Sequence, residues 1–284
     1  ALRTQILEEI PEATERLICQ AFDWCRATLR YVAKVRPRDE RLKIVLPTLT
    51  QGQPRFGQIR IRHVVCETVE YISKNAFHRL WQLLGLQVVP RKRRRSRRRY
   101  RLAQVPGLRA TAPNQVWCLD FLKDYTSDGR GLRFLSIVDE HPRLCVGLEV
   151  ERRFRAAEVV AVLDRLVALR GAPTYLRSDN GPEFVATVVE RWAKARGIQL
   201  VRSAPRHPWE NPFIESFHSR LRDEFVEREV FGSLAETKIL AEAYRRWYNE
   251  ARPHSALKYL TPRAFLDKLL ARVTGQPGCA GNLA

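Results

Sequence analysis

Along the first third of the chain, apolar residues recur at the three-to-four-residue spacing of helices. Further on they gather into short runs that read as strands. Residues 1–35 carry Leu7, Ile10, Leu17, Ile18, Ala21 and Trp24 at helical spacing, and residues 38–50 and 57–70 each predict another helix. Ser73 is a natural N-cap for a helix that shows Ala76, Phe77, Leu80, Trp81 and Leu84 on one side before Gly85 closes it. A preceding helix with Arg60, Arg62 and His63, a short turn and this capped helix would make a helix-turn-helix, with Lys74, His78 and Arg79 on its outer side as DNA contacts. A plain helical bundle fits the same spacing.

The texture changes after Pro113. Residues 115–122, 134–140 and 144–150 are short β-rich runs separated by the turn-prone TSDGRG and His141-Pro142, which predicts antiparallel neighbours. Residues 156–170 form a helix ended by Gly171, residues 174–177 a buried strand, residues 182–196 a helix ended by Gly197, and residues 198–202 another strand. Strands that alternate with helices after an antiparallel start predict an α/β fold, a mixed sheet with flanking helices. The domains expected are 1–90 helical and DNA-binding, 91–112 a basic linker, 113–266 a catalytic core, and 267–284 a tail.

Charge sharpens this division. The 284 residues include 50 Lys plus Arg against 31 Asp plus Glu, a formal charge of +19 that calls for an anionic partner. Residues 1–110 hold 24 of the basic and only 9 of the acidic side chains. Arg91, Lys92, Arg93, Arg94, Arg95, Arg97, Arg98 and Arg99 stand within nine positions, too self-repelling to pack as a core element. A run of this kind is either a phosphate-tracking connector or a solvated tail or localisation signal; its place between two folded regions favours the connector. At 45% hydrophobic the chain can bury a core, which excludes wholesale disorder. With no apolar run of membrane-spanning length and no signal-peptide pattern, the protein is expected to be soluble and intracellular, without a membrane partner. The six cysteines are scattered, and His63 with Cys66 offers only half of a zinc spacing, so reduced core thiols are expected.

Three acids stand out by placement. Asp120 interrupts the apolar run WCLDFL, Asp179 follows a predicted parallel strand and precedes Asn180-Gly181, and Glu215 lies on a helix with the stripe Ile214, Phe217, Leu221 and Phe225. An unpaired charge inside a strand is costly, and α/β sheets place ligands at the carboxyl ends of their strands. Each acid alone could pair with one of the 41 arginines. Together they predict a site for hard Mg²⁺, two ions of which, about 3.5–4 Å apart, can clamp the attacking and leaving oxygens of a phosphoryl displacement. Asn211 or Pro212 can begin the Glu215 helix, whose face also carries His218, Ser219 and Arg222. Arg222 there contacts a phosphate, or pairs with Glu215 or with the neighbours of Asp223.

The segments VWCLDF, YLRSDNGPEF, HPWENPFIESFHSRLRDE and WYNEARPHSALKYLTPRAF resemble the DDE transposases of bacterial insertion sequences, in particular the family made by fusing two reading frames. With PRFGQIRIR and the 73–86 helix, the likeness runs over most of residues 40–266. It implies a ribonuclease-H-like, retroviral-integrase-like core that binds Mg²⁺, with Mn²⁺ able to substitute, through catalytic Asp120, Asp179 and Glu215. It also implies a helix-turn-helix that recognises element ends, and phosphate contacts from His218 and Arg222. The implied reaction is cleavage at element ends followed by strand transfer, by a copy-out, paste-in route. The implied partners are double-stranded DNA (terminal inverted repeats and target), further copies of the chain, and an upstream reading-frame product. The implied location is the bacterial cytoplasm, at the nucleoid. The chain departs from the pattern at Arg206-His207, where relatives carry Gly-Lys, and at His218, where Asn is usual. A ribonuclease H shares the metal chemistry but leaves the helix-turn-helix and basic run unexplained. A domesticated DNA-binding protein would be expected to have lost an acid.

Overall fold

The computed structural model describes residues 10–11, 14–30, 36–86, 108–202 and 211–273. The basic run Arg91–Arg99 and the loop 203–210 lie outside the described residues. Within them, five strands make one sheet: β1 Val116–Tyr125, β2 Gly131–Asp139, β3 Cys145–Glu151, β4 Tyr175–Ser178 and β5 Gln199–Arg202. The order is β3-β2-β1-β4-β5, with β1, β2 and β3 antiparallel and β4 and β5 parallel to β1. This is the mixed sheet the sequence predicts, with strand ends displaced by only one to a few residues.

Alternation along β1 assigns its two faces. Trp117 and Leu119 point into a core built with α6 Ala156–Arg170, α7 Pro182–Val185 and α8 Thr187–Ala195. Val116, Cys118 and Leu122 point the other way, against α9 Pro212–Leu221 and α10 Leu234–Glu250. The predicted stripe Ile214, Phe217, Leu221 and Phe225 lies in that second core, and a π-helical turn, Arg222–Val226, carries it past the end of α9.

The helix predicted over 182–196 is instead two. It breaks at Ala186, whose backbone is extended. At 100° per residue, a continuous helix would put buried Phe184 roughly 180° from buried Ala193; the break lets both face the same core. Nor does Asn211 cap α9: its amide donates to the Leu119 carbonyl at 3.4 Å, tying the helix start to β1, and Pro212 supplies the first helical position.

Upstream lie α1 Glu15–Phe22, α2 Arg26–Arg30, α3 Pro37–Gly52, α4 Gln58–Thr68 and α5 Lys74–Leu83. The Ser73 hydroxyl accepts from the Ala76 N–H, and Gly85 takes a left-handed φ of 62°, the two signals expected at the ends of α5. Leu42, Leu46, Phe56, Ile61, Val65, Ile72, Phe77, Leu80 and Trp81 form one core; a fully buried Phe77 alone contributes about 1.5–3 kcal/mol. The helical stripe before residue 35 is less productive. Asp23 turns left-handed between α1 and α2, and Leu17 stays 59% exposed.

The helical unit rests against α10 and the segment after it. Phe56 packs against Trp247 of α10 with ring centroids 6.1 Å apart, and His63 packs on Tyr259. Arg60 reaches Glu224 at 3.7 Å. That carboxylate is buried and takes two donors from Arg252, one at 2.7 Å. Among the described residues no helix is long and apolar enough to cross a membrane.

Candidate active site

Strand register brings the first two acids level. β1 and β4 are paired up to Cys118 and Arg177, and Asp120 and Asp179 each stand two residues further on. Neighbouring strands lie about 4.8 Å apart. Asp120 also shares the parity of Val116, Cys118 and Leu122, so it faces the α9 layer, and α9 carries Glu215. Sheet alternation and one helix therefore bring together three acids that lie far apart in sequence.

Their environment is unusual in a chain so rich in arginine. Among the described residues, no Lys or Arg stands within ion-pair distance of Asp120, Asp179 or Glu215. Elsewhere Glu140, Glu183, Glu190 and Glu224 are all paired with arginine. The Asp120 carboxyl is pushed up to about 6 by burial, with the charges of Asp179 and Glu215 adding to the rise. Glu215 is also raised by burial. Asp120 is held by the Phe121 N–H, which donates to it at 2.7 Å. Asp179 accepts from the Gly181 N–H at 3.0 Å, an Asx-type turn that fixes its carboxylate.

Below these acids the strands are braced. Arg177 and Glu140 form a buried ion pair at 2.9 Å, and Arg177 also donates to the Leu108 carbonyl. Arg133 lies 4.0 Å above the Phe121 ring and pairs with Glu183, which pins the turn after Asp179. The sequence reading missed both arginines. The signal for Arg177 was a charge inside the short apolar strand YLRS, the same sign that marked Asp120.

The side of α9 toward solvent forms a depression of about 340 Å³ lined by Glu215, His218, Ser219, Arg222 and Asp223. Arg222 is exposed there, and among the described residues no acid pairs with it, Glu215 included. His218 is turned inward instead: its Nδ1 stands 3.4 Å from Asp120, and burial, helped by Arg222, pulls it down to about 4. It is therefore a neutral ring packed beside the acid. On α5, Lys74 is exposed, His78 contacts the Gln58 side chain at 3.0 Å, and Arg79 is paired with Asp39. His63 packs on Tyr259, and the Cys66 thiol faces the Ile72 carbonyl.

Carboxylate oxygens that repel one another and have no cationic partner are the donor set a hard divalent cation takes. Among the described residues no three acidic, His or Cys side chains stand close enough to form a ready-made cage. The acids are neighbours, not a closed ligand cluster.

Two family models, both described as integrase core domain, match residues 110–208 and 196–262. The chain is 34% identical over 262 residues to an uncharacterized 31.7 kDa protein of insertion element IS407 from Burkholderia multivorans, covering 92% of this chain and 94% of that one. It is 29% identical over 237 residues to the transposase InsD for the IS2 elements of Escherichia coli, covering 73% and 77%. In shape it is similar to a chain of the simian T-cell lymphotropic virus intasome in complex with PP2A regulatory subunit B56 gamma. That match has a TM-score of 0.51 at 13% identity over 79% of this chain and 74% of that one, a likeness of fold alone. An integrase core over the sheet and kinship to insertion-element proteins along most of its length place the chain among the bacterial insertion-sequence DDE transposases, polynucleotidyl transferases of DNA transposition and integration.

Proposed function

We propose that Asp120, Asp179 and Glu215 are the catalytic carboxylates of this transposase, and that they hold two Mg²⁺ ions, with Mn²⁺ able to substitute. One observation carries the reading: three acids from two adjacent strands and a helix meet without a cationic partner among the described residues, close enough for two of them to raise the third. Bound divalent cations would supply Lewis-acid charge at the attacking and leaving oxygens of an in-line phosphoryl displacement. The chain's own residues do the positioning. The Phe121 and Gly181 N–H groups fix the two aspartates, α9 presents Glu215, and neutral His218 keeps solvent from one side of Asp120. Arg222, on the same helix face as Glu215, orients a phosphate of the scissile strand.

The reaction is cleavage at an element end, which exposes a 3′-hydroxyl, followed by attack of that hydroxyl on a second phosphodiester. Terminal inverted repeats and target DNA are the substrates. Further copies of the chain on the paired ends and an upstream reading-frame product are the partners, by a copy-out, paste-in route in the bacterial cytoplasm, at the nucleoid. Helices α4 and α5 form the helix-turn-helix over residues 58–83 that reads the ends, with Lys74, His78 and Arg79 toward DNA. Arg91–Arg99 track the backbone between this unit and the core.

Asp120→Asn, Asp179→Asn and Glu215→Gln each abolish strand cleavage and joining on a labelled element-end duplex with Mg²⁺, while DNA affinity stays near wild type. Efficient end-joining by any of the three removes that residue from the assignment.

A further inference from the structure

A second cavity, of about 270 Å³, lies roughly a third of a turn round α9 from Glu215. It sits where the helical unit meets the core: α4 contributes Arg60, the β2–β3 turn Arg143, α9 Arg220, and the segment after α10 Arg252 and His254. Four guanidiniums line it, and Glu224 is the one carboxylate among the described residues that pairs with any of them. Arg143 takes a left-handed φ of 59° and lays its guanidinium 3.8 Å over the Phe213 ring, which holds it at the rim without an acid.

Two polar atoms here are buried without a hydrogen-bond partner, Nε of Arg60 and Nε2 of His254. Packing four like charges round a partly enclosed space is costly unless an anion offsets them. The strain is visible in the neighbours. Arg60 is pulled down to about 10 by burial, with Arg252 and Arg220 adding to the fall. His254 is pulled down to about 3 by burial and then by all four arginines. The histidine is therefore neutral and can offer an N–H to an oxyanion.

We infer that this arginine-lined cavity is a phosphate-binding site separate from the catalytic acids, and that its ligand is a backbone phosphodiester of DNA away from the point of cleavage. Arg143 and Arg220 are its outer clamps, and His254 with Arg60 forms its floor. The cavity is large enough for one phosphate group, and guanidinium forks match phosphate oxygens in pairs. The chain's function and its +19 charge favour DNA over a carboxylate from another protein. The site also gives the word YNEARPH a purpose that catalysis does not: Tyr248 walls the cavity, Arg252 charges it and His254 floors it.

The test uses the full chain without divalent ions, so it does not depend on the roles of the three acids. Affinity for a fluorescent duplex is measured across a salt series for wild type, Arg143→Gln, Arg220→Gln and the double variant. Each glutamine is expected to flatten the log affinity against log salt slope, and the double variant by about 0.9, the loss of one phosphate contact, whatever the DNA sequence. Inorganic phosphate should raise the melting midpoint of wild type and not that of the double variant. If Arg143→Gln lowers the midpoint in phosphate-free buffer, Arg220→Gln, on an exposed side chain, carries the test alone. An unchanged salt slope overturns the proposal. So does a change in sedimentation with an unchanged slope, which would give the cavity to a carboxylate of a second copy.

Discussion

Replacing Glu224 by Gln should be among the most damaging conservative changes in this protein outside the three acids proposed for catalysis. The Glu224 side chain is 2% exposed and accepts two hydrogen bonds from Arg252, itself 1% exposed, with Arg60 3.7 Å away. Glutamine keeps the volume but removes the charge, leaving Arg60 and buried Arg252 without a carboxylate partner among the described residues. Breaking a buried pair from one side costs about 3–5 kcal/mol, a large part of an ordinary domain's total of about 5–15 kcal/mol. At about 2–4 °C per kcal/mol for a domain of this size, the melting midpoint should fall by about 6–20 °C. Urea unfolding followed by tryptophan fluorescence gives the same quantity as a shift in midpoint at constant slope. Glu40→Gln, which breaks only the exposed pair with Lys43, is the reference and should cost less than about 0.5 kcal/mol. Replacing the pair by apolar residues, Glu224→Leu with Arg252→Met, should recover much of the loss, because the penalty comes from the orphaned charge. A cost below about 1 kcal/mol for Glu224→Gln would refute this reasoning.

Two further outcomes follow from packing and from protonation. At Gly147 in β3 an added Cβ would stand 2.8 Å from Leu166 Cδ1 and 3.3 Å from Ile137 Cδ1, both in the core. Gly147→Val should therefore cost about 1–3 kcal/mol of unfolding free energy by urea titration, and a neutral result would show that Leu166 has room to move. His254 is held neutral down to about 3 when folded, against an ordinary value near 6.5, so the unfolded chain binds its proton first as the pH falls. The stability this residue contributes is complete above about pH 6.5 and declines by up to about 1.4 kcal/mol per pH unit below it. Asp120 and Asp139, raised by burial, titrate in the same range with the opposite sign. The measurement is thus the difference in unfolding free energy between wild type and His254→Gln, in which the variant should gain on wild type as the pH falls from 6.5 to 4; parallel profiles would exclude the effect.

The sheet was legible because its residues state their surroundings locally. Apolar runs of strand length, Gly-rich turns and capped helices gave β1 to β5, α5 and α6 within a few residues, and a charge inside an apolar run singled out Asp120. What stayed hidden depends on contacts remote in sequence. The break at Ala186 answers the position of a core that Phe184 and Ala193 must share. The Asn211 amide looked like a helix cap because the carbonyl it meets is Leu119, 92 residues away. His218 read as an outward neighbour of Arg222, yet packing turned it toward Asp120. No spacing rule could have paired Arg60 with Glu224 or gathered Arg143, Arg220 and Arg252 round one cavity.

The alternation of β1 sets a limit on how this protein can vary. Its even positions face α9 and its odd positions face α6 and α8, so sliding the strand by one residue would exchange Asp120 for Leu119 or Phe121 on the side of α9 that carries Glu215. The acid's placement is digital: it is on the correct face or on the opposite one, with no intermediate setting. Insertions or deletions in this strand should consequently yield inert proteins and never gradually weaker ones, leaving the surrounding loops as the places where length can drift.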